Sequence, residues 1–308
     1  MNRKRVLITG GKGTVGSAFI KYYSDVYEFH CIGSSDLTST SKGSVIYHKC
    51  DITNEKLLNK TFSLVEPDIV IHAAALKHVN IAEKEPTKTV NVNIVGSLNV
   101  INSSIHNSVP ITIGISTDKA CHPEGIYGYT KKIMEDIFLD NHSSSTKFVC
   151  VRFSNIANSN GSVIPFWLNN AKSGLSLKLT DSRMNRLMYS QKEASELIKK
   201  AIDFAKRSEK TFILAKVMKS VNMLELAKTI SDEYNLNKEI EIIGLRPGEK
   251  LNEILISQKE LQYAFLSEDS KYVVLKNSDF GDEMLKRELS SLTAEYMNKD
   301  EINELFTI

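Results

Sequence analysis

Six short apolar runs divide the first half of the chain: "RVLIT" at 5–9, "EFHCIG" at 28–33, "VIYHKC" at 45–50, "DIVIHAAA" at 68–75, "ITIGIS" at 111–116 and "FVCVRF" at 148–153. Each has the length of a strand and is apolar at consecutive rather than alternating positions, the pattern of strands covered on both faces. Helix-length connections separate them, for example from Pro86 to His106. Parallel strands need crossovers of that length. The pattern predicts a doubly wound α/β domain over residues 1–160.

Beyond residue 160 the order loosens. Shorter runs ("LKLTD", "TFILA", "IEIIG", "YVVLK") alternate with helical stretches over 161–308. This second part reads as a smaller substrate-binding lobe, interleaved with the first around a cleft at the carboxyl edge of a Rossmann-type parallel sheet, where such folds bind ligands. Trp167 and Phe166 are expected in its core. "EMLKRELSSLTAEYM" has helical spacing and predicts a solvated amphipathic helix near the end, suited to a subunit contact. The serine-rich "SSDLTSTSKGS" at 34–44 reads as a polar loop after the second strand.

Composition narrows the function. The chain has 308 residues, 42% hydrophobic and 25% charged, with a net charge of +2, so no global field favours nucleic acid or an anionic membrane. No apolar run approaches the roughly 20 residues that span a bilayer. The basic start "MNRKR" leads into an apolar run too short for a signal segment, so a cytoplasmic protein is expected. Cys31, Cys50, Cys121 and Cys150 show no metal-ligand spacing and read as reduced thiols, with no metal site expected.

Chemistry enters with "LITGGKGTVGSAF", where Gly10, Gly13 and Gly16 join a strand to a helix. Gly10 permits the tight turn, Gly13 lets backbone approach a pyrophosphate, and Gly16 allows close packing of helix on strand. Thr14 and Val15 begin that helix, facing the anion. The T-G-x-x-G-x-x-G spacing resembles the short-chain dehydrogenase/reductase superfamily. Asp51 with Ile52 suits the adenine end of a dinucleotide, and Ala73, Ala74 and Ala75 suit backbone lining along it. Gly33, Ser34, Ser35 and Asp36 follow the second strand. Hydroxyls there can bond either the ribose of NAD or the 2'-phosphate of NADP, so NADP is expected with NAD open.

"ISTDKACHPEGIYGYTKK" at 115–132 carries the reaction chemistry. Tyr127 and Lys131 lie four apart at a helix start and share a face. The expectation is a lysine ammonium that lowers the tyrosine pKa and holds the nicotinamide ribose, with Thr117 bonding the same substrate hydroxyl. Asp118 and Lys119 add what plain dehydrogenation does not need. Once a sugar C4 is a ketone, its C5 hydrogen is acidic, and losing water across C5 and C6 requires one base and one acid. A half-buried Asp118 kept protonated is expected as the acid and a desolvated Lys119 as the base. Both face the cleft if the chain leaves its strand near Thr117.

"AALKHVNIAEKEP", "STDKACHPEGIYGYTK", "GSVIPF", "TDSRMNR" and "LRPGEKLNE" together resemble the nucleotide-sugar branch of the extended short-chain dehydrogenases, and within it the UDP-N-acetylglucosamine 4,6-dehydratases that invert C5. The resemblance spans residues 3 to 258. It implies that Lys77 contacts cofactor and substrate, that Asn93 supports the proton network, and that Asn155 and Val163 meet sugar or uridine. It further implies that Arg186 and Arg246 meet the pyrophosphate and ribose and that Glu249 binds that ribose; guanidinium forks suit phosphate independently. A homo-oligomer, hexamer or dimer, is implied too. The chain departs from the family pattern at Ser154, at Asn160 and over Asn185 to Met188. His72 and His78 read as core or rim side chains. The competing readings are a UDP-sugar epimerase, against which Asp118 and Lys119 argue, and a nucleotide-sensing binder, against which Tyr127 argues.

Overall fold

The computed structural model describes residues 3–34, 41–42, 45–141, 143, 145–236, 238–246 and 249–306. The predicted runs form β1 (Lys4–Thr9), β2 (Tyr27–Gly33), β3 (Val45–Lys49), β4 (Ile69–His72), β5 (Ile111–Thr117) and β6 (Lys147–Phe153). Between and after them come α1 (Thr14–Tyr23), α2 (Glu55–Val65), α3 (Gly96–His106), α4 (Ile126–Asp140) and α5 (Val163–Lys172). They are followed by β7 (Asn185–Tyr189), α6 (Gln191–Ala205), β8 (Phe212–Lys216), α7 (Met223–Glu233), β9 (Ile254–Ile256), β10 (Ala264–Leu266), β11 (Tyr272–Leu275), β12 (Leu289–Ser290) and α8 (Lys299–Glu304).

The main sheet runs β10-β11-β8-β6-β5-β4-β1-β2-β3 and ends on the two-residue edge Ser41–Lys42. From β3 to β8 every pairing is parallel. This is the doubly wound order with its switch point between β1 and β4. Side-chain alternation divides the core: Val6 and Ile8 join Phe19, Phe29 and Ile71 on one face, while Leu7 joins Leu58, Phe62 and Val70 on the other.

Two expectations change. The cut at residue 160 is not clean, because β8, β10 and β11 all return to the main sheet. β6 is buried on both faces and its free edge needs a partner, which β8 supplies in parallel and β11 extends antiparallel. Nor does a helix form over "EMLKRELSSLTAEYM". There Leu289–Ser290 pairs with β9, and the hydroxyls of Ser290 and Thr293 take each other's backbone N–H groups at 3.0 and 3.3 Å. Such local bonds compete with a helix ladder. The lobe has its own core of Trp167, Leu179, Met188, Leu226 and Ile230. Trp167 is buried there and donates its indole N–H to the Lys178 carbonyl at 2.9 Å, whereas Phe166 is exposed.

Candidate active site

β1 ends at Thr9, and Gly10 turns the chain with φ +70°, in the left-handed region. A Cβ on Gly10 would lie 2.9 Å from the Ala74 backbone, and one on Gly16 would lie 2.7 Å from Gly11 Cα. Glycine is therefore required at Gly10 by contact as well as by φ, and at Gly16 by contact. Gly13 N–H closes the turn onto the Gly10 carbonyl at 2.8 Å, and α1 begins at Thr14. A cavity of about 280 Å³ opens above this turn, lined by Gly13, Thr14, Val15, Ala73, Ala74, Ala75 and Lys77. A second, of about 380 Å³, continues past Gly33, Ser34, Asp51 and Ile52, with Lys12 on its wall. Two linked cavities over a helix N-terminus and a glycine cradle fit a dinucleotide. Ser35 and Asp36 lie outside the described residues. Asp51 holds the N–H and hydroxyl of Thr53, both at 2.9 Å.

His72 is a core side chain. It bonds Thr9 at 2.8 Å and Ser97 at 2.9 Å, and burial, aided by Lys131, pushes it down to about 3. It stays neutral and ties β4 to β1 beneath the cradle. His78 is exposed.

The chain leaves β5 at Thr117 and makes a single 3-10 turn, Asp118–Ala120. α4 then presents Tyr127 and Lys131 on one face. A cavity of about 410 Å³ brings Thr117, Tyr127 and Lys131 together with Lys77, Asn155, Val163, Arg186, Arg246 and Glu249. Ser116 and Ser162 also line it, and their buried hydroxyls have no hydrogen-bond partner among the described residues. Arg186 is less free than expected, since its guanidinium donates to the carbonyls of Asn185, Lys250 and Leu251 at 2.8 to 3.1 Å. Glu249 accepts the Arg246 N–H at 3.1 Å.

Asn93 is not on this wall. It is buried in a π-helical segment, Asn91–Val95, where it takes the Leu76 N–H at 2.8 Å and donates to the Thr130 hydroxyl at 3.0 Å. It clamps the 73–77 segment to α4.

Asp118 and Lys119 do not face the cleft together. Asp118 is buried and accepts from Thr117 and Lys119 on Oδ1 at 2.9 and 3.0 Å, and from Ser154 on Oδ2 at 2.7 Å. It touches the large cavity through Thr117 and Ser154, both of which line it. Lys119, 33% exposed, faces an adjoining cavity that shares Tyr127. Their expected protonation is also reversed. Burial opposes ionisation of Asp118, but Lys119 and the hydroxyls of Ser154 and Thr117 outweigh it and hold the carboxyl below its usual range. For Lys119 burial is likewise outweighed, by Asp118 and Glu253, which raise it. The pair rests as carboxylate and ammonium.

Tyr127 departs from expectation as well. Burial pushes its phenol up to about 12, and the cation that pulls it back is Lys119, not Lys131. Burial brings Lys131 itself down to about 8, and its ammonium lies 3.1 Å from Met134 Sδ.

Two charged groups escaped the sequence reading. Glu253, inside the noted "LRPGEKLNE", stands 3.5 Å from the Lys119 ammonium. Arg152 in β6 is fully buried and binds Glu135 of α4 and Glu260 bidentately, at 2.7 to 3.1 Å. Nothing local marks either one, because their partners are distant in sequence.

A protein named UDP-N-acetylglucosamine 4,6-dehydratase (inverting) from Campylobacter jejuni is 33% identical over 300 residues, 91% of this chain and 87% of that one. One named UDP-glucose 4-epimerase from Rickettsia rickettsii is 30% identical over 277 residues, 85% of this chain and 80% of that one. The solved structure of Pen from Bacillus thuringiensis superposes with a TM-score of 0.87 at 27% identity, covering 99% of this chain and 97% of that one. The cradle, the Thr117-Tyr127-Lys131 set and most of the lobe lie within residues 6–275, which match the family described as Polysaccharide biosynthesis protein, and the chain belongs to that family.

Proposed function

We propose that this protein is a UDP-N-acetylhexosamine 4,6-dehydratase, acting on UDP-N-acetylglucosamine and inverting C5, in the making of a surface glycan. One observation carries the reading: an ion pair of Asp118 and Lys119 abuts Tyr127 at the end of a cavity whose walls also hold Lys131, Asn155, Arg186, Arg246 and Glu249. The names of the C. jejuni relatives support it.

A nicotinamide dinucleotide held by the cradle would supply the redox chemistry at C4 and C6. With cofactor and sugar bound, the cationic nicotinamide and the ammonium groups of Lys119 and Lys131 would favour the tyrosinate, and in that form Tyr127 takes the proton of the C4 hydroxyl, with Thr117 orienting that hydroxyl. Lys131 lies on the Tyr127 face, placed to hold a nicotinamide ribose. The resulting ketone acidifies C5. Asp118 and Lys119 share one proton across 3.0 Å, so acid and base exchange by a single transfer. As they rest, the Lys119 ammonium is the acid for the C6 oxygen and the Asp118 carboxylate the base. Over the cycle C4-OH and C5 each give up a proton, while the departing hydroxyl and the opposite face of C5 each take one.

NADP is the cofactor we favour. Lys12 lies over the Tyr47 ring at 5.5 Å in the cavity that holds Ser34, an available cation for a 2'-phosphate. A cytoplasmic homo-oligomer is part of the proposal. No helix among the described residues is long and apolar enough to cross a membrane. Val95, Leu98 and Ile105 beside Tyr129 and Ile133 of α4 are exposed apolar groups suited to a subunit contact.

The test is incubation of purified protein with UDP-N-acetylglucosamine and mass spectrometry of the product. Loss of one water is expected. Unchanged mass with a changed sugar would favour the epimerase reading, to which the name of the Rickettsia relative points.

A further inference from the structure

The cavity on the far side of Lys119 is distinct from the one that would hold the sugar. It has a volume of about 270 Å³, and Lys119, Tyr127, Glu253, His122 and Lys250 are on its wall. Lys119 stands between two carboxylates, with Asp118 at 3.0 Å on the sugar side and Glu253 at 3.5 Å on the other. Glu253 is 9% exposed at its side chain, and its backbone is held by Ser291, whose hydroxyl takes the Glu253 N–H at 3.0 Å. Its remaining close cation is Arg186, 4.0 Å away and already committed to backbone carbonyls. The carboxylate is therefore held against Lys119 by the backbone just ahead of β9, and among the described residues it has no strong partner of its own.

We infer that Glu253 is a proton-relay residue acting through Lys119: it exchanges the Lys119 proton with water in this second cavity, a route separate from the sugar's entrance. The inference rests on the dehydratase reading and deepens it. In the relay step an N–H bond of the Lys119 ammonium breaks and an O–H bond forms on Glu253, leaving a neutral amine and a carboxylic acid. Glu253 then gives that proton to water, and no electrons change hands. Run from water to Glu253 to the amine, the same steps recharge Lys119 after its ammonium has given a proton to the departing C6 oxygen, so that it again rests beside the Asp118 carboxylate. Burial raises the Glu253 carboxyl, Lys119 pulls it down and Asp118 raises it again, with Arg186 and Lys250 as weaker opposing cations. Tyr127 of α4 faces the same cavity, and Glu83, His122 and Glu124 form its outer wall.

The experiment compares wild type, Glu253→Gln and Glu253→Asp. In the free protein, where Glu253 rests as a carboxylate, acid titration followed in the infrared should bring up a protonated carboxyl band above the usual glutamate range that Glu253→Gln lacks. With UDP-N-acetylglucosamine, Glu253→Gln should lower kcat roughly tenfold to a hundredfold, at the weak end of lost acid-base groups. KM should stay unchanged and the pH profile of kcat should move. In deuterated water the product should incorporate less deuterium at C5 per turnover, and Glu253→Asp should recover part of the rate. Wild-type kcat and pH profile in Glu253→Gln would overturn the relay. So would a loss confined to KM or thermal stability, which would mark a structural role. If Glu253→Gln does not fold, Glu253→Asp decides, since an unmoved pH profile there refutes the relay. If wild type forms no dehydrated product, the dehydratase reading fails, and the infrared band alone judges Glu253: its absence overturns the relay.

Discussion

Replacing Arg152 with methionine should be among the most damaging single changes outside the cavities. Its guanidinium makes two bonds to Glu135 and two to Glu260, and a fifth to the Leu255 carbonyl at 2.9 Å. Arg152→Met leaves two carboxylates, 0% and 9% exposed at their side chains, without a cation. Breaking a buried pair in this way costs about 3–5 kcal/mol. The pKa of Glu260 gives a separate measure. Against burial, Arg152 leads the groups that bring it from 4.5 to about 2. At about 1.36 kcal/mol per pH unit this is worth about 3 kcal/mol. Because the folded pKa is depressed, that stability is present above pH 4.5 and is lost as pH falls toward 2. The assay is urea unfolding at neutral pH, followed by far-UV circular dichroism and by the fluorescence of Trp167, the one tryptophan. The variant's deficit should shrink on mild acidification, when its unpaired carboxyls take up protons, and should fall again when Glu135→Gln and Glu260→Gln are added. A deficit under about 1 kcal/mol, the worth of an exposed pair, or one independent of pH, would refute the argument.

Other expectations concern the chemistry directly. Tyr127→Phe should abolish the absorbance of reduced nicotinamide on mixing with substrate, and any such signal at the wild-type rate counts against its role. Lys119→Ala should keep that absorbance change yet form no dehydrated product by mass spectrometry, while Asp118→Asn slows water loss by roughly 10²- to 10⁴-fold; full dehydration in Lys119→Ala would make the pair an ordinary charged turn. Gly16→Ala, whose Cβ would meet Gly11 Cα at 2.7 Å, should weaken dinucleotide binding in calorimetry at least tenfold, or about 1.4 kcal/mol. Lys131→Met removes a buried cation brought from 10.5 to about 8, so thermal stability without cofactor should rise at neutral pH while activity is lost. The wild-type deficit should close as pH climbs through 8 toward 10.5, where the folded lysine is already neutral; an unchanged or lower Tm at neutral pH would count against the assignment.

What the sequence determined by itself was whatever is written in short-range pattern. Consecutive apolar residues mark the buried strands of the sheet because both faces of each must be covered. Gly10 and Gly16 mark the cradle because no side chain fits against Ala74 or Gly11. The spacing of Tyr127 and Lys131 puts them on one helical face wherever α4 lies. The tertiary structure alone decided the rest. β8 and β11 join the main sheet because the edge of β6 needs pairing, and the end of the chain forms β12 because Ile254–Ile256 offers it a partner. Charge state was the least legible property. Asp118 and Lys119 are adjacent in sequence, yet which of them holds the proton depends on Ser154 and Glu253, brought in by β6 and β9. An electrostatic environment is a sum over neighbours in space, and the neighbours that settle it here lie far away along the chain.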